Sequence, residues 1–208
     1  MLYILIGAFG FIALLVFDLM SLKNQVFFKY FFAFLGLALI IFSTFELVSY
    51  NADLFINSYL RIASLLFAVI FMVLLVYSVF IEVGGNSYQK FAEPKLVTNG
   101  TYSLVRHPGV IWLFLAYIFL ALFSQNSYLL LSAIIWTTVN TIYVIVQEKY
   151  ILVKIFPNYS EYIKSTPMVI PNYLSVKRFI TTKNWRKEWK HLERCYEMRI
   201  MIRFGRLI

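Results

Sequence analysis

Apolar residues run along this chain in long blocks, and five of these approach or reach the length of a bilayer: 2–20, 27–48, 58–81, 109–124 and 127–146. A spanning helix needs roughly 20 mainly apolar residues to cross a hydrocarbon core of about 30 Å. The pattern predicts an all-α, polytopic membrane bundle of five transmembrane helices. Only Ser124 to Asn126 separate the last two blocks, so these must form a tight antiparallel hairpin, with the fourth helix shortened or irregular where it meets Pro108. Folding that hairpin brings Arg106 and His107 to the membrane face that also carries Gln147 and Glu148.

Composition agrees with the pattern. With 61% hydrophobic and 14% charged residues and a mean hydropathy of +0.75, the chain has too little polar surface to cover a water-soluble globule. Cys195 is the sole cysteine, which excludes an intramolecular disulfide framework, and His107 and His191 are the only histidines, which argues against a metal centre. Nothing points to nucleic acid as a partner. The first apolar block follows no basic segment and precedes no small-residue cleavage site, so a retained helix is expected there.

Charge sets the expected orientation, because short cytoplasmic loops collect Lys and Arg. The first loop carries Lys23 and Lys29 and the third carries Lys90, Lys95 and Arg106, whereas the second has Glu46 and Asp53 with Arg61 nearby. Residues 147–208 hold thirteen Lys and Arg against five Glu, so they contribute +8 of the chain's +9. The N-terminus is expected outside and the C-terminal tail in the cytoplasm. Between Ile180 and Ile200, Trp185, Trp189, Leu192 and Tyr196 recur at helical spacing among basic residues, the pattern of an amphipathic helix facing lipid or the protein's own cytoplasmic face. Three regions result: front helices in 1–94, a core in 95–172 containing the hairpin 109–146, and a basic tail in 173–208.

Two polar segments interrupt the apolar pattern. The first, GTYSLVRHPGVIW at 100–112, holds Gly100, Tyr102, Arg106, His107 and Pro108; the second, 147–171, holds Glu148, Phe156, Tyr159, Tyr162, Pro167 and Pro171. Together they resemble the signature of the isoprenylcysteine carboxyl methyltransferases and related phospholipid methyltransferases. Thr101, Val110, Trp112, Gln147 and Pro157 depart from it, and Trp112 places a large side chain where the family commonly has glycine. The resemblance implies an integral-membrane enzyme that uses S-adenosylmethionine and methylates a lipophilic or small acceptor: an isoprenylcysteine carboxylate, a lipid amine or a thiol. Membrane lipid is the expected partner.

The same resemblance implies a cofactor site made of Tyr102, Arg106, His107, Pro108, Gln147, Glu148, Tyr159 and Tyr162, with Arg106 and Glu148 nearest the chemistry. Arg106 can meet a carboxylate with two parallel hydrogen bonds. Glu148 can accept from ribose hydroxyls or an α-amino group, and Gln147 can complete that set. His107 and Tyr102 can donate to the methionine part or line the adenine pocket, and Pro108 lets the backbone leave helical geometry. A pouch is expected between the Arg-His pair and Glu148. Tyr159 and Tyr162 also suit a packed helical face, and Glu46, Glu82 and His191 read as solvated groups. An NADPH-dependent membrane reductase of the sterol-reductase type and a non-catalytic membrane scaffold are the competing readings.

Overall fold

A computed structural model describes residues 1–22, 25–50, 53–83 and 96–181. All regular structure among them is helical: α1 (Leu2–Leu22), α2 (Val26–Val48), α3 (Ser58–Glu82), α4 (Pro108–Ser124), α5 (Ser127–Ile155), α6 (Tyr159–Ser165) and α7 (Tyr173–Thr181). Four of these, α1, α2, α3 and α5, are long and apolar enough to cross a membrane, and α4 is a shorter apolar helix. The five expected blocks thus appear as a multi-pass bundle. Apart from Ile180 and Thr181, the amphipathic stretch expected at 180–200 lies outside the described residues, as do His191 and Cys195.

The helices pack in sequence-adjacent pairs. α1 lies against α2, α3 against α4 and α4 against α5, and α1 closes on α5. Small residues allow the closest approach: a Cβ on Gly10 would come within 2.8 Å of the Gly36 carbonyl, and one on Gly36 would meet the Gly10 carbonyl at the same distance. Such close backbone contact compensates in lipid for the missing hydrophobic drive between helices. The core gathers around Trp136, which is fully buried, sits edge-on to Tyr117 at 5.0 Å and donates its indole N–H to the Ile4 carbonyl at 2.7 Å. Tyr117 in turn shares a 2.6 Å hydrogen bond with Thr44 on α2.

Local chemistry fixes the α4–α5 hairpin. Gln125 adopts the left-handed conformation at the end of α4 (φ 57°), and Asn126 caps α5 by accepting from the Tyr128 and Leu129 backbone N–H groups. Its amide also donates to the Leu47 carbonyl at 2.8 Å, which ties the hairpin tip to the end of α2. Asp53 accepts from the Ser127 N–H at 2.7 Å and also pairs with the Ser127 hydroxyl, and Arg61 donates to the Phe123 carbonyl at 2.9 Å, where the negative end of the α4 dipole favours a cation. The tip, Asp53 and Arg61 lie at one end of the bundle, and residues 100–108 and 148–168 lie at the other.

Two helices contain wider π-helical turns, α3 over its last residues Tyr77–Glu82 and α5 over Glu148–Leu152, before a final α-helical turn at Val153–Ile155. Extending through its π turn, α5 runs past the expected boundary at residue 146. Such turns in α-helices often mark functional positions, and both of these open onto the same polar cluster. The 17 residues of α4 span about 26 Å at 1.5 Å per residue, short of a hydrocarbon core of about 30 Å. Pro108 occupies its first turn, where no backbone N–H is needed.

Candidate functional site

The polar cluster begins with an irregular segment tied down at both ends, by Glu82 to Thr101 and by the Pro167 and Met168 carbonyls to the Arg106 and His107 N–H groups. Gly100 has φ +61° and leads into a single tight turn through Ser103. Only glycine fits comfortably there, since a Cβ would fall 2.0 Å from Glu82 Oε1. Glu82, at the end of α3, accepts from the Thr101 N–H at 3.0 Å and bonds the Thr101 hydroxyl. It therefore holds the turn, contrary to its reading as a solvated helix end, because the chain returns to it eighteen residues later. The Tyr102 hydroxyl donates to the Ser78 carbonyl at 3.3 Å, and the Tyr102 carbonyl accepts from the Tyr162 hydroxyl at 2.6 Å.

Arg106 and Glu148 meet directly. Arg106 Nε donates to Glu148 Oε1 at 2.7 Å and Nη2 donates to Oε2 at 3.0 Å, a two-pronged ion pair with side chains 8% and 13% exposed. The remaining Arg106 bonds run from Nη1 to the carbonyls of Ile163, at 3.1 Å, and Thr166. Four of five guanidinium N–H groups are thus spent within the chain. His107 Nε2 lies 2.9 Å from Glu148 Oε1, and the Tyr159 hydroxyl donates to the same oxygen at 3.0 Å. The backbone completes the knot: the Arg106 and His107 N–H groups donate to the carbonyls of Pro167 and Met168.

Burial and charge set the protonation of these groups. Burial opposes the Arg106 charge, but the Glu148 carboxylate outweighs it and keeps the guanidinium above its ordinary value. Burial raises Tyr102, Tyr159 and Tyr162 well above the usual tyrosine range, reinforced by Glu82 beside Tyr102 and by Glu148 beside Tyr159. All three phenols remain neutral donors at physiological pH.

Arg106, His107, Glu148 and Tyr159 therefore touch one another, with Tyr102 and Tyr162 linked by their own bond alongside and Pro108 buried at the start of α4. Gln147 does not join them. Adjacent residues on a helix diverge by about 100°, and its amide instead donates to Asp18 on α1 at 2.9 Å, beside the Tyr143 hydroxyl bonded to the same carboxylate. The expected pouch between the Arg-His pair and Glu148 is filled by their ion pair. Two cavities lie elsewhere: one on the outer face of α2 between Phe34 and Phe45, the other between α3 and α4 near Phe55 and Leu122. Trp112 turns toward α3 and stacks on Phe71 with ring centroids 6.1 Å apart.

Two distant polar segments joined in this way, at one end of a membrane bundle, invite comparison with known families. Residues 59–159 match the phospholipid methyltransferase family. The matched stretch contains α3 from Tyr59 onward, α4, all of α5 and the cluster from Gly100 to Tyr159, while Tyr162 and the carbonyls of Ile163, Thr166, Pro167 and Met168 lie beyond it. The match supports a membrane methyltransferase and agrees with the resemblance read from the two motifs. Comparison with curated proteins and with solved structures gave no match.

Sequence reasoning missed Glu82, Ser78 and Asp18. A signal existed for Glu82 and Asp18, since a carboxylate within or ending an apolar helix is costly unless partnered. Ser78 acts through its backbone carbonyl and carries none.

Proposed function

We propose that the chain is an S-adenosylmethionine-dependent membrane methyltransferase whose cofactor binds against the Arg106–His107–Glu148 cluster of the 95–172 core. The observation that carries this reading is the junction of two motif segments, 42 positions apart at Arg106 and Glu148, inside the stretch that matches the phospholipid methyltransferase family. The cofactor, when bound, supplies an electrophilic methyl group on a sulfonium.

The donor set fits that ligand with a division of labour. Arg106 is chiefly a positioning residue, holding Glu148 and the Ile163 and Thr166 carbonyls and, among the described residues, retaining one N–H for a carboxylate. Among the described residues Glu148 Oε2 accepts from Arg106 alone, which leaves it capacity for a hydroxyl or an α-amino group. His107 uses Nε2 on Glu148, and among the described residues its Nδ1 is left for a further partner. Tyr102, Tyr159 and Tyr162 brace the cluster through their hydroxyl bonds to the Ser78 carbonyl, Glu148 and the Tyr102 carbonyl, and Pro108 starts α4 without a backbone N–H to satisfy. Gln147 acts through Asp18 on the α1 side.

Positioning and exclusion of water supply most of what a protein must add to a methyl transfer. An acceptor carboxylate or thiolate already has the lone pair it needs; an amine must lose a proton, to His107 or to water. A lipophilic acceptor would enter between helices and the cofactor from the cytoplasm. The Lys and Arg bias supports an outside N-terminus and a cytoplasmic residue 147–208 segment.

Calorimetry on detergent-purified protein tests the assignment. Micromolar-range binding of S-adenosylmethionine is expected, abolished in Arg106→Ala and Glu148→Ala. Unchanged binding in both variants refutes it, binding of NADPH instead marks a reductase, and binding of neither by the intact protein marks a scaffold. Transfer of labelled methyl groups to total membrane lipids and prenyl-cysteine analogues then identifies the acceptor by the fraction labelled.

A further inference from the structure

The helix α7 presents an unusual surface. Its inward side is fixed: Ser175 is fully buried, and Arg178 donates to the Thr166 hydroxyl at 3.2 Å and the Ser165 carbonyl at 3.0 Å. These bonds and its packing on the Gly100–Ser103 turn set its rotation. The opposite side carries Tyr173 and Ile180, which are 78% and 72% exposed, Leu174 flanks it at 66% exposed, and Ile170 leads into it. Their exposure resembles that of Phe34 and Phe45 on the lipid-facing side of α2, at 77% and 69%. A cluster of this kind on a water-facing surface usually marks a contact site.

Charge identifies the occupant. Lys177 stands exposed on the same outer side, and Lys164 is exposed on α6, whose end Arg178 joins through the Ser165 carbonyl. Residues 147–181 hold five Lys and Arg against two Glu, and the described part of α7 has no acidic residue. An apolar face bordered by lysines matches a leaflet of acyl chains beneath anionic headgroups. We propose that α7 docks on the anionic lipid surface of the membrane that the bundle spans, with Tyr173, Leu174 and Ile180 inserted among the acyl chains and Lys177 at the phosphates.

The test uses the full chain with Cys195→Ser, spin-labelled through Leu174→Cys and, separately, through Ile180→Cys, in nanodiscs of phosphatidylcholine with and without phosphatidylglycerol. Power-saturation resonance compares collisions with oxygen, enriched in the hydrocarbon, and with a water-soluble nickel chelate. Both labels should favour oxygen several-fold in anionic discs, and Lys177→Gln should reduce that preference. A label open to nickel in anionic discs overturns the proposal. Labels shielded from both reagents also overturn it, because the face is then covered by residues 182–208 or by a second copy, which dipolar distances between labels distinguish.

Discussion

The Arg106–Glu148 pair can be tested as a unit. Replacing Glu148 with alanine removes the acceptor for two guanidinium N–H groups, for the Tyr159 hydroxyl and for His107. The charge left behind on Arg106 sits 92% buried, the complement of its 8% exposure. Removing one partner of a buried pair costs about 3–5 kcal/mol. Arg106→Ala should cost about 2–4 kcal/mol, because Glu148 keeps His107 and Tyr159 while the Ile163 and Thr166 carbonyls lose their donor. Once the first partner has gone, the second has little left to lose, so the double variant should fall well short of the sum, with a coupling of about 1–3 kcal/mol. Reversible unfolding in mixed micelles, followed for the four members of the cycle, measures this term. Additivity within about 0.5 kcal/mol would show that the two side chains do not act together and would refute the arrangement.

Other consequences are more local. Gly100→Ala forces a left-handed backbone on an alanine and displaces Glu82 from Thr101, and should destabilise the protein by about 1–3 kcal/mol in the same assay. Asn126→Ala removes both a helix cap and the donor to the Leu47 carbonyl, for a loss of about 2–4 kcal/mol, whereas Asn126→Asp keeps the cap and should recover part of it. Because folding raises the values of Tyr102, Tyr159 and Tyr162, the native state holds their protons more tightly than the unfolded chain does. Their contribution is complete below the unfolded value of about 10 and declines as pH rises above it. Ultraviolet phenolate titration should show a fraction of tyrosines ionising late, and Tyr159→Phe should make that fraction smaller.

The bundle was legible because bilayer length constrains apolar blocks so strongly, and all five expected helices appear within a few residues except at the end of α5. There the hydrophobic pattern stops near residue 146, while backbone hydrogen bonding continues through Glu148 in a π turn that no side-chain pattern announces. The meeting of Arg106, His107 and Glu148 followed from hairpin geometry alone. What each side chain does within that meeting did not follow. The Ile163 and Thr166 carbonyls that occupy Arg106 belong to the backbone, which leaves no trace in residue type, and a helix rotation separates Gln147 from its neighbour. Glu82 was read as solvated because its partner, the Gly100 turn, lies beyond a long connection.

The carbonyls of Ile163 and Thr166 that accept from Arg106 lie at the far end of the last-made part of the core. Arg106 is made before any of its partners, with Glu148 following 42 residues later, the Ile163 carbonyl 57 and the Thr166 carbonyl 60. The guanidinium's full set of bonds therefore waits for residue 166, and a chain cut between residues 148 and 163 would keep the ion pair while lacking both carbonyl acceptors.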